Sequence, residues 1–227
     1  MQFESLIQQR GEVTFPEFQG DRLYMVPFYK ASGLPDAIKR WQPTVDAMLD
    51  GVDTAGPIYL MVDESPVIAG NAQRRPGVHI DGYWVPEISA HGGGGGHRPN
   101  SGGGLHAPIG RHRAMPPLAP YDKTPKKGPK KGKRLDSAWA HADFSEHEAI
   151  LLASTVTAAC GYVGQFEGPI NEGGDCSHVD LKKLQQIEFT AGSVFAGNVT
   201  SLHESLPVTR DCVRQLVRLN VPGWTFH

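Results

Sequence analysis

Three His-x-Asp pairs in the 227-residue chain could do chemistry: His79-Ile80-Asp81, His141-Ala142-Asp143 and His178-Val179-Asp180. On an extended strand, residues i and i+2 point to one face, so such a pair can offer an imidazole nitrogen and a carboxylate oxygen to one metal ion. The three pairs differ in context. His79 and Asp81 follow a Pro76-Gly77 turn and lie in Val78–Val85, a run rich in β-branched and aromatic residues. His141 and Asp143 lead into the polar Ser145-Glu146-His147-Glu148, and His178 and Asp180 follow the loop-like Asn171-Glu172-Gly173-Gly174-Asp175. Both of these pairs read as ordinary surface residues. Two residues further along add to the first pair: His203, in Leu202-His203-Glu204-Ser205-Leu206-Pro207, and Arg214, eleven residues after it.

The elements that must position these residues read as mainly β. From residue 57 onward, short runs of β-formers are punctuated by Gly, Pro, Asn and Asp: Ile58–Val62, Val78–Val85, Ala149–Val156, Gly161–Phe166, Gln186–Phe189, Ser193–Val199 and Cys212–Val221. Strands without alternating helices favour an antiparallel sandwich or barrel over a βαβ fold. Lys182–Ile187 could instead belong to a short helix. In Cys212–Val221 one face carries Val213, Val217, Leu219 and Val221, and the other carries Arg214 and Arg218. Such a strand fits a sheet with one exposed face, or a barrel whose interior binds an anion. Residues 1–57 read as a supporting segment with helical content. Pro35 and Asp36 mark a helix start, and Ile38, Trp41, Val45 and Met48 keep a helical period that Pro43 must interrupt or restart.

Composition divides the chain further. The formal net charge is −2, but Ser89–Arg134 carries ten Lys or Arg against one acid, leaving −11 on the remainder. This segment also holds 11 of the 27 Gly and 7 of the 18 Pro, and has little apolar surface to offset the entropy of ordering it. It reads as an insertion, 89–134, within a domain of residues 58–227. The start of the chain lacks the basic and apolar regions of a signal peptide, and no apolar run approaches the roughly 18 residues that span a bilayer. Three cysteines without a C-x-x-C pair disfavour a disulfide framework. A cytoplasmic protein, bacterial or of a host cell, is the expectation.

The order of these motifs is specific. His-x-Asp at 79–81, a Gly-bounded strand and turn at 192–198, His-x-Ser-x-Pro at 203–207 and Arg214 together resemble the iron(II)/2-oxoglutarate-dependent dioxygenases, over about 58–88 and 135–222. The resemblance implies a double-stranded β-helix, or jelly roll, with supporting N-terminal helices and a long Gly/Pro/Lys-rich insertion. It implies His79, Asp81 and His203 as iron ligands, with Arg214 pairing the far carboxylate of 2-oxoglutarate. It also implies O₂ as co-substrate, succinate and CO₂ as co-products, and hydroxylation of a C–H bond. Arg218 lies about 13 Å along the strand from Arg214, and spacing from His203 selects Arg214. Leu216 occupies the position where many members carry Ser or Thr. Asp81 and His203 are 122 residues apart, and removing the 46-residue insertion brings that to a length the intervening strands can fill.

The substrate is not legible, but the lysine-rich stretch 122–134 suits a polyanion, either nucleic acid or an acidic protein surface, including another copy of the chain in a homo-oligomer. A non-enzymatic reading also stays open: a jelly-roll structural or assembly protein, such as one of a virion, with a vestigial metal site and the basic arm as a strap.

Overall fold

The computed structural model describes residues 1–83, 144–145 and 147–226. The insertion 89–134, its stretch 122–134 and the His141–Asp143 pair lie outside the described residues. Among the described residues, ten strands run in the order β1 (Gln2–Ser5), β2 (Ile7–Glu12), β3 (Arg22–Tyr29), β4 (Pro57–Val67), β5 (Glu148–Ser154), β6 (Ala159–Glu167), β7 (Gln185–Glu188), β8 (Ser193–Asn198), β9 (Leu202–Ser205) and β10 (Cys212–Pro222). All named pairings are antiparallel. The molecule is mainly β and its two sheets face each other as a sandwich.

The larger sheet has the order β2-β8-β5-β10-β4-β3. Its register places Leu219 opposite both Leu60 and Leu151, and Val217 opposite both Val62 and Ala153. These residues form one buried layer on the outer face. Trp41, Val45, Met48 and Leu49 cover it from the N-terminal segment. The helical expectation there resolves into a 3-10 helix, Asp36–Trp41, followed by the short α1, Gln42–Met48. Pro43 sits in the first turn of α1, where a missing N–H loses no bond. The segment 1–57 also does more than support the sheets: β2 and β3 form both edges of the large sheet, and β1 joins the other one.

In the smaller sheet β6 pairs with β1, β7 and β9. The stretch around His79 extends this sheet as an isolated bridge rather than as the strand expected over Val78–Val85. His79 and His203 exchange both backbone N–H···O bonds at 3.0 Å, and Ile80 N–H donates to the Gly174 carbonyl at 2.9 Å. Gly82, at φ +67, turns the chain out of the extended conformation directly after Asp81. Between the sheets, Ala159, Phe189 and Phe195 form a second core, with the Phe189 and Phe195 rings stacked at 4.6 Å. Among the described residues no helix is long and apolar enough to cross a membrane.

Candidate metal centre

The reciprocal backbone pair between His79 and His203 places two imidazoles side by side on the inner face of the small sheet, with ring centroids 4.5 Å apart. Asp81, two residues after His79, joins them. One ligand atom from each of His79, Asp81 and His203 lies within 4.8 Å of the other two. The backbone fixes both rings. His79 Nδ1 lies 2.7 Å from the Gly77 carbonyl, and His203 Nδ1 lies 3.0 Å from the Ser201 carbonyl. A carbonyl can only accept, so each Nδ1 carries a proton, and in the neutral ring that tautomer leaves the Nε2 lone pair for a ligand bond. Metal-binding histidines are commonly oriented by such outer contacts.

The electrostatics favour the forms that bind a cation. Burial, reinforced by His203 alongside, pushes His79 down to about 3, so its ring is neutral at ordinary pH. Burial opposes the charge on Asp81, but its neighbours, the Arg218 guanidinium foremost, outweigh it and hold the carboxyl well below its ordinary value. Arg218 Nη1 donates to Asp81 Oδ2 at 2.6 Å, and the same oxygen lies 3.5 Å from His203 Nε2. Arg218 Nη2 reaches the Met25 sulfur at 3.7 Å, where β3 has a register shift and Met25 adopts φ +51.

Arg214 is in the opposite situation. It is 1% exposed. Nε donates to Ser154 Oγ at 2.8 Å and Nη1 reaches Ser205 Oγ at 3.5 Å, both neutral hydroxyls. Among the described residues no carboxylate pairs with it. Burial draws its pKa down to about 10, which leaves the charge in place at neutral pH. A buried guanidinium without a counter-charge is costly unless an anion completes it.

No protein-family model, curated protein or solved structure matches the chain. The chemistry of the site rests on its own geometry. That geometry brings His79, Asp81 and His203 together, whereas His178 and Asp180 are exposed. Arg214 stays separate from the cluster, on the inward face of β10. Sequence spacing had set Arg218 aside, and the structure gives it the Asp81 carboxylate. Ser154 had no visible signal at all. It stands opposite Leu216 in the β5–β10 register, so a neighbouring strand places a hydroxyl beside Arg214 where position 216 offers none.

Proposed function

We propose that this protein is an iron(II)/2-oxoglutarate-dependent oxygenase that hydroxylates a C–H bond of its substrate. The observation that carries the proposal is the convergence of His79, Asp81 and His203, with both histidine Nδ1 atoms held by backbone carbonyls. Two imidazoles and one carboxylate are the donor set of non-haem iron(II) sites that leave adjacent positions open. The path of the chain supports the jelly-roll reading. From β4 it crosses to the His79 bridge in the small sheet, returns to β5, and continues through β6 and β7. It then alternates through β8, β9 and β10, ending beside β4 at the centre of the large sheet.

His79, Asp81 and His203 would hold the iron, and Arg214 with Ser154 and Ser205 would hold the far carboxylate of 2-oxoglutarate. When bound, these groups supply the oxidising chemistry: O₂ is consumed, 2-oxoglutarate becomes succinate and CO₂, and one oxygen atom enters the substrate. The protein's own part is placement. Gly77 and Ser201 carbonyls fix the ring tautomers, and Arg218 engages Asp81 through Oδ2, which keeps the carboxylate ionised and turned toward the histidines. Arg214 supplies charge where a dicarboxylate must be recognised in a desolvated interior.

Anaerobic calorimetry with iron(II) and then 2-oxoglutarate tests the proposal. The full chain is expected to bind both, 2-oxoglutarate more tightly with iron present, and His79→Ala or His203→Ala to lose iron. A wild-type protein that binds neither would sink it.

A further inference from the structure

One end of the large sheet gathers arginines that the metal cluster does not use. Register sets Arg22 of β3 opposite Asp63 of β4, and Ser65 of β4 opposite Arg214 of β10. The loop after β4 adds Arg74, and its neighbour Gln73 ties that loop down. Gln73 Nε2 lies 2.9 Å from the Asp63 carbonyl, 3.0 Å from Ser65 Oγ and 3.2 Å from the Arg214 carbonyl. Arg22 Nε and Arg74 Nη1 then approach the Asp63 carboxylate at 3.9 and 3.3 Å, with side chains 52% and 37% exposed. Buried Arg214 lies within electrostatic reach of both Asp63 and Arg74. Three guanidiniums against one carboxylate leave a net +2 on these four residues. Asp21 and Glu64, the acids next to them in sequence, are both taken by Arg40. Ion pairs with so exposed a partner contribute little, so the two outer arginines remain available to an incoming anion.

We propose that Arg22 and Arg74 form the entry through which the anionic co-substrate is drawn to Arg214, a deepening of the oxygenase reading on which it rests. Arg214 is the buried end of this path and the two outer arginines are its approach. 2-Oxoglutarate is a dianion at neutral pH, and the chain outside Ser89–Arg134 carries a net −11 that repels it. A local cationic patch reverses that repulsion at one end of the sandwich. Charge of one sign at a cleft raises association rates by about ten- to a thousandfold, and salt screens the gain. Exposed charges at a rim act on arrival and on salt dependence, whereas buried partners set how long a ligand stays. Arg22 and Arg74 thus steer, and Arg214 holds.

Stopped-flow association of 2-oxoglutarate with the iron(II)-loaded full chain is the first test. The double variant Arg22→Gln with Arg74→Gln is expected to slow association about tenfold at ~0.01 M salt, with the dissociation rate and iron(II) affinity unchanged. The difference should vanish at ~1 M salt, where the Debye length has fallen from roughly 30 Å to roughly 3 Å. Arg22→Lys with Arg74→Lys should keep the wild-type rate, because charge rather than guanidinium shape does the steering. Cys212 gives a second reading that needs no co-substrate. It lies two residues from Arg214 on the same face of β10 and is only partly buried, whereas Cys160 and Cys176 are buried. The rate at which dianionic dithionitrobenzoate modifies Cys212, divided by that of neutral dithiodipyridine, should fall about tenfold in the glutamine pair at low salt. An unaltered association rate in the folded glutamine pair, a loss that persists at high salt, or an unchanged reagent ratio would each overturn the proposal. A wild type that shows the reagent preference but binds no 2-oxoglutarate would overturn the co-substrate reading and leave the cationic entry standing.

Discussion

Arg214 and Arg218 share one face of β10, four residues apart, and the structure gives them opposite roles in the metal-free protein. Arg218 balances Asp81, so Arg218→Met leaves a buried carboxylate without its cation. The expected cost is about 3–5 kcal/mol in urea unfolding of the metal-free protein, partly recovered when iron(II) supplies the missing charge. Arg214 has only hydroxyl partners, so Arg214→Met is expected to leave metal-free stability unchanged or raised, while 2-oxoglutarate affinity falls by about 2 kcal/mol or more. Equal losses of stability in the two variants would refute this division of labour. His79 adds a pH dependence. Its folded value of about 3 lies below the ordinary 6.5, so between these the unfolded chain binds the extra proton. Stability of the metal-free protein from this group is fully present above pH 6.5 and is lost as pH falls toward 3, at up to about 1.4 kcal/mol per pH unit. Asp81, also depressed, adds its own loss only below the ordinary carboxylate range. Urea midpoints followed from pH 7.5 to 4.5 are expected to fall less steeply in His79→Gln than in the wild type, and parallel curves would exclude His79 as the source.

At the scale of elements, the sequence was readable for most strands from residue 57 onward, the exposed edge strand β7 included, and unreadable in the N-terminal segment, where β1, β2 and β3 went unannounced. The runs at 149–156, 161–166, 193–199 and 212–221 became β5, β6, β8 and β10, because burial imposes long apolar or alternating patterns on them. β2 reads Ile-Gln-Gln-Arg-Gly-Glu and is largely exposed, so no apolar run announced it. β9 has four residues, too few for a period to show. The shared face of His79 and Asp81 was legible because His-x-Asp places two donors by local geometry, whereas His203 was reached only through the order of the motifs. Ser154 beside Arg214 was not legible, since only the register between strands creates that contact. Register also makes Gly174 critical. It sits at φ +78, and a Cβ there would lie 2.2 Å from the Ile80 carbonyl oxygen, one residue from Asp81. Gly174→Ala must push the 78–80 stretch away, at a cost of about 1–3 kcal/mol, and weaken iron(II) binding through Asp81. Gly11→Ala, with nothing within 4 Å of its Cβ, is the matched control and should change neither. Unaltered metal affinity in Gly174→Ala would mean that the 174–176 contact does not position the ligand.

Across the whole molecule, charge and topology separate the proposed chemistry from the proposed partner. The segment Ser89–Arg134 is strongly basic, and the rest of the chain carries a net −11. The described residues on either side of 84–143 meet in space: Tyr83 and Phe144 stack at 5.9 Å, and Phe144 packs edge-on to Phe3 of β1 at 5.8 Å. Among the described residues, both sheets and the three candidate ligands are already brought together. Replacing 84–143 with about six Gly and Ser residues should leave the described sheets folded, which urea unfolding of the shortened chain checks. Iron(II) and 2-oxoglutarate binding should persist. The seven Lys and Arg of 122–134 predict a separate behaviour. The full chain should bind a DNA or RNA oligonucleotide with an affinity that falls steeply as salt rises, because phosphate contacts release counterions, and the shortened chain should not bind it. A shortened chain that still folds and binds iron but retains the oligonucleotide would move the contact onto the acidic body. A full chain with no salt-sensitive binding would instead favour an acidic protein surface, or a second copy's −11 body, as the partner of the basic segment.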